Sequence, residues 1–127
     1  MSTAPAVILF AHGARDPRWA EPVLALAQRL RQALPGAFVQ PAFLEFLAPS
    51  LSEAVEAALA RGHRHVALVP VFIAVGGHLR EDLPRLLTSV RSAHPDVSFE
   101  VLPALGESER VREAMASTVL EWIGAGE

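Results

Sequence analysis

The stretch AVILFAHGARDPRWAEPVLALAQRLRQALPG, residues 6–36, decides the fold. It opens on an unbroken apolar run, AVILFA, of the kind that forms a strand covered on both faces. The period then changes. Trp19, Val23, Leu26, Ala27, Leu30 and Leu34 recur at three- and four-residue spacings, which predicts an amphipathic helix over about 17–34. Pro35-Gly36 stops that helix. One strand followed by one helix is half of a crossover unit, and the rest of the chain repeats it.

Further apolar runs, AFVQPAFLE (37–45) and HVALVPVFIAVGGH (65–78), predict the second and third strands, and residues 97–102 a fourth. Between them, a second helix is expected over 50–61. Ser50 and Glu53 form its capping box, Leu51, Val55, Ala58 and Leu59 its buried face, and Gly62 its C-terminal stop. The third helix is expected to begin near an Asp82 N-cap, which leaves Pro84 in the first turn. Leu83, Leu86, Leu87 and Val90 form its inner face, and His94-Pro95-Asp96 ends it. A fourth helix covers about 107–123, with Val111, Met115, Val119, Trp122 and Ile123 as its stripe. Pro41, Pro70 and Pro103 are expected near strand carboxyl ends, because proline disrupts a ladder interior.

Alternating strands and helices predict an α/β fold, a three-layer sandwich around a four-stranded parallel sheet with right-handed crossovers. A chain of 127 residues is expected to form a single domain, 1–127, with a substantial core. So few strands suggest that a partner chain completes or covers one edge.

Composition removes whole classes of chemistry. There is no cysteine, so disulfides, thiolate metal sites and cysteine nucleophiles are excluded. All 11 basic residues are arginine, which excludes a Schiff-base or phosphate-loop lysine. The net charge of −3 carries no nucleic-acid footprint. No apolar run approaches the roughly 18 residues that span a bilayer, and the N-terminus lacks the basic region and cleavage site of a signal peptide. A soluble cytoplasmic protein is expected, with no membrane partner.

Three side chains point to function. His12, Glu45 and His78 stand at equal intervals of 33 residues, and each closes an apolar run. The carboxyl ends of parallel strands share one edge, where ligands of such sheets bind. Two imidazoles and a carboxylate there suit proton abstraction and divalent-metal binding. Gly13 after His12 and Gly76-Gly77 before His78 allow sharp turns and close backbone approach. Arg15, Arg18, Arg80 and Arg85 are candidates for the cleft mouth, where an anionic substrate would want them. His63, His65 and His94 are read as structural or surface residues.

The segments ILFAHGARDPRWAEP, PAFLEFLAPSLSEAV and VPVFIAVGGHLREDLP resemble the small class II chelatases, the CbiX/SirB-type sirohydrochlorin cobalto- and ferrochelatases. The resemblance covers nearly the whole chain. It implies a chelatase-like fold with flavodoxin-like winding, and ATP-independent insertion of Co²⁺ or Fe²⁺, or of nickel in related chains, into sirohydrochlorin. The divalent metal is then a substrate, and no tightly bound cofactor is implied. The motif histidines correspond to His12 and His78 and the motif glutamate to Glu45. The first histidine is implied as proton acceptor and both as metal contacts, with Glu45 a ligand or proton relay. The loop bordering the macrocycle corresponds to Ile73, Ala74, Val75, Gly76 and Gly77. A homodimer is implied, its protomers resembling the halves of longer chelatases. Ala14 stands where many members have serine, a difference that bears on substrate identity more than on reaction class.

Two other readings compete. A phosphohistidine at His12 would want an arginine before it, and Ala11 stands there. A non-catalytic metal or tetrapyrrole carrier would bind saturably without turnover.

Overall fold

The computed structural model describes residues 5–74 and 76–125, with the backbone alone described for 77–79. Strands β1 (Ala6–Ala11), β2 (Phe38–Phe43), β3 (His65–Pro70) and β4 (Ser98–Val101) alternate with helices α1 (Glu21–Ala33), α2 (Leu51–Ala60), α3 (Gly77–Ala93) and α4 (Glu109–Trp122). All strand pairs are parallel and their order is β2-β1-β3-β4. The order steps outward in opposite directions from β1, so the loops after β1 and β3 lie either side of a topological switch point.

The pleat sorts the core into two layers. Ile8 and Phe10 of β1, with Val66 and Leu68 of β3, pack against Ala54 and Val55 of α2 and Leu83, Leu87 and Val90 of α3. Leu9, Val39 and Phe43 face the opposite way, against Val23 and Ala27 of α1. Each fully buried Leu, Ile or Phe contributes about 1.5–3 kcal/mol, so this double-sided burial of β1 is what drives assembly. Ser50 accepts from the Glu53 amide while Glu53 accepts from the Ser50 amide, the capping box read from sequence.

Four expectations are corrected. Pro41 lies inside β2, not at its end. It is tolerated because β2 is an edge strand. Val39 O accepts from Arg31 and the Phe43 amide donates to Pro49 O, so backbone groups at 39, 41 and 43 point away from β1. The amide that Pro41 lacks would have faced outward. Second, α3 starts at Gly77 rather than Asp82, which places His78 in its first turn and Pro84 in its interior. Leu79, Arg80 and Glu81 are strong helix formers and extend the helix backwards to an extended Gly76. Buried Leu83 and Leu87 hold the segment across the proline. Third, Trp19 leaves the α1 stripe. It sits on a separate 3-10 turn, Pro17–Ala20, and is 74% exposed. Finally, α4 fully buries none of its residues: Val111 is half-buried beside Ile73 and Leu105, while Met115, Val119, Trp122 and the Ile123 that follows are exposed, so most of the stripe faces solvent.

Candidate active site

His12 is the first residue after β1, and Glu45 lies two residues past β2. Beyond the paired strands the Leu44 amide donates to Ala11 O and the Glu45 amide to His12 O. These bonds carry the β1–β2 register past the sheet and set the two side chains together, with His12 Nε2 3.0 Å from Glu45 Oε1. The side chains are 60% and 48% exposed, so the pair contributes little to stability and its value is orientational. A carboxylate on one ring nitrogen selects the tautomer and leaves the other nitrogen, Nδ1, with its lone pair.

Gly13 makes this arrangement possible. Its φ is +91°, and a Cβ there would lie 1.9 Å from the Glu45 carbonyl oxygen. Only glycine lets the turn after β1 lie this close to the turn after β2. Below the pair is a cavity of about 210 Å³ whose lining includes His12, Gly13, Ala14, Trp19, Phe43 and Val71. That volume is below the range of about 300–1,000 Å³ for pockets that engulf a drug-sized ligand.

The sequence-predicted residues are distributed unevenly. Arg15 stacks its guanidinium on the Phe46 ring, 4.9 Å from the centroid, beside Glu45. Arg18 is committed to Asp16, with Nη2 2.7 Å from Oδ2. The Arg18 side chain and amide together hold the Asp16 carboxyl below its ordinary range, and Asp16 caps the 3-10 turn. Ile73, Ala74 and Gly76 are exposed on the loop after β3, and the Gly106 amide anchors that loop at Phe72 O. Val75, the surroundings of Gly77 and the side chain of His78 lie outside what the structure describes. Arg80 and Arg91 line a groove with Leu83, Pro84 and Val101, not the His12 cavity. His63 is buried and stacks on Phe38, and His94 caps the end of α3, both structural positions. Among the described residues no three histidine, aspartate or glutamate side chains are grouped to hold a metal ion. Sequence reasoning passed over Phe46, which has a φ of +68° and is 55% exposed. An aromatic directly after the candidate glutamate was its only signal.

The CbiX family model matches residues 6–122. The chain belongs to the CbiX family. It is 32% identical over 121 residues to the sirohydrochlorin cobaltochelatase of Saccharolobus solfataricus, an alignment covering 91% of this chain and 93% of that protein. The crystal structure of the CbiX protein from Marinobacter aquaeolei VT8 superposes with a TM-score of 0.83 at 31% identity, covering 94% of this chain and 97% of that one. The sirohydrochlorin chelatase SirB from Bacillus subtilis subspecies spizizenii, in complex with cobalt, gives a TM-score of 0.75 at 25% identity. That match covers 94% of this chain and 51% of the SirB chain. The CbiX fold is thus present here as a unit about half the length of that longer chelatase.

Proposed function

We propose that this chain is a sirohydrochlorin-type metal chelatase, inserting Co²⁺ or Fe²⁺ into the macrocycle without ATP. The observation that carries the reading is the His12–Glu45 pair, 3.0 Å apart at the carboxyl edge of a CbiX-family sheet. Insertion releases two N–H protons from the tetrapyrrole as the divalent ion enters. His12 donates its Nε2–H to Glu45 and accepts the macrocycle protons one at a time at Nδ1, passing the first to solvent from its exposed ring before taking the second, and the Glu45 carboxylate stabilises each imidazolium that results. His78, in the first turn of α3, is the second metal contact, and Glu45 relays protons or lends an oxygen to the incoming ion. Few protein ligands leave positions on the ion for the macrocycle nitrogens, which suits a metal that is delivered rather than kept. Arg15 meets the substrate carboxylates, and the segment from Ile73 to Gly77, of which Ile73, Ala74 and Gly76 are exposed, borders the ring. Absence of cysteine suits the reducing cytoplasm.

The direct test mixes purified protein with sirohydrochlorin and Co²⁺ or Fe²⁺. The reading expects the absorbance change of metal insertion, above the rate without protein. Saturable binding of macrocycle or metal with no turnover would assign a carrier instead.

The working form of the enzyme is a homodimer. One protomer offers a shallow wall to a flat substrate, and a second wall must come from elsewhere. Helix α4 carries an uncovered apolar groove of about 550 Å³ lined by Val111, Met115, Val119 and Trp122. Exposed apolar patches of this kind mark association surfaces. Light scattering should report a dimer at micromolar concentration. Val119→Glu combined with Met115→Glu should give a folded monomer with insertion reduced about 10-fold or more, the loss expected when one wall of a binding site is removed. A wild-type monomer with full activity would overturn this.

A further inference from the structure

We infer that Phe46 is a docking platform for the tetrapyrrole face, an assignment that rests on the chelatase reading and adds a residue to it. Phe46 is the central residue of a three-residue turn closed by the Leu47 amide on Glu45 O at 2.9 Å. With φ at +68° this is the rare, strained form of that turn. Bulky residues are disfavoured there, and glycine or asparagine would meet the backbone demand more cheaply.

The strain is not repaid by packing. The neighbours turn inward, Leu44 against the α2–α3 side of the core and Leu47 against the α1 side. The Phe46 ring stays 55% exposed. A phenyl ring held out to solvent in an unfavourable conformation points to a task for the ring itself.

Its surroundings define the ligand. The preceding residue is Glu45, paired with His12, so the turn that carries the ring also carries the partner of the proton acceptor. Arg15 lies over the ring with its guanidinium 4.9 Å from the centroid. Trp19 and Ile73, 74% and 75% exposed, bring large apolar side chains to the loops after β1 and β3. A flat conjugated surface bearing peripheral carboxylates satisfies both chemistries: its face stacks on phenyl and its edge pairs with guanidinium. A bare metal ion would use neither.

The test reads macrocycle binding, not turnover, by absorbance titration of sirohydrochlorin against Phe46→Ala, Phe46→Gly and Phe46→Tyr, with melting curves for each. Phe46→Ala and Phe46→Gly should weaken binding about 10-fold or more, in line with loss of a stacking partner. Phe46→Gly should hold or raise the Tm, by up to about 5 °C, because glycine relieves the strained φ. Phe46→Tyr should restore binding to near wild type, and metal affinity should be unchanged throughout. Binding within twofold of wild type in both the alanine and glycine variants would overturn the inference. So would a loss of affinity in Phe46→Gly accompanied by a matching fall in Tm, which marks a structural role. Because wild-type turnover is measured separately, a protein that binds but does not insert would sink the chelatase reading alone.

Discussion

His12→Ala should abolish metal insertion while the protein stays folded and still binds the macrocycle. The imidazole is 60% exposed, so truncating it opens no cavity in the core. The stability change should stay within about 0.5 kcal/mol. Its chemical loss is larger. A positioned general base is worth about 10²–10⁴ in rate, and the same ring is a contact for the incoming ion. Initial rates should therefore fall by at least about 10² at saturating sirohydrochlorin, with the macrocycle Kd nearly unchanged. Glu45→Gln keeps an oxygen near His12 Nε2 but removes the charge that stabilises the imidazolium. An orienting partner of this kind is worth about 10–100-fold, so the glutamine variant should fall between wild type and His12→Ala. Insertion at the normal rate by both His12→Ala and His78→Ala would sink the mechanism.

Gly13→Ala should be nearly as damaging, for a different reason. The added Cβ would lie 1.9 Å from the Glu45 carbonyl oxygen, and that neighbour is backbone. The turn after β1 or the turn after β2 must shift, and either movement separates His12 from Glu45. The positive φ adds its own penalty. Together these should cost about 3 kcal/mol and lower the Tm by roughly 10 °C. Insertion should drop by about 10²-fold, as expected for misplacing a catalytic group by an ångström. Gly62→Ala is the matched control. Gly62 has a φ of +86°, but nothing lies within 4 Å of its added Cβ. It should lose about 1 kcal/mol and keep full activity. Equal melting curves for the Gly13 and Gly62 variants would refute the steric account.

Parts of the molecule most legible in the sequence are those that depend on neighbours along the chain. The β1 run, the change of period into α1, and the Ser50–Glu53 box are local patterns, and the structure contains each of them. The start of α3 was less legible. Asp82 is a good N-cap and Pro84 a good first-turn residue, so local rules favour starting there. The helix formers Leu79, Arg80 and Glu81 override those rules and carry the helix back to Gly76, and buried Leu83 and Leu87 hold it across Pro84. The α4 stripe shows the opposite failure. Its periodicity correctly forecast a helix, but amphipathicity cannot say whether the apolar face is covered by its own chain.

The candidate site divides along the same line. The α/β class, the strand-end positions of His12 and Glu45, and a chemistry without thiolate or lysine are all written in the order of the amino acids. Each follows from composition or from a short-range period. Folding is what brings the His12 and Glu45 side chains to 3.0 Å, sets the Glu45 carbonyl where residue 13 must be glycine, and leaves Phe46 strained and exposed on the same turn as Glu45. Those facts depend on the register between β1 and β2 and on turns touching across it. Distances of that kind are set by parallel pairing between segments far apart in the chain, and no local pattern encodes them.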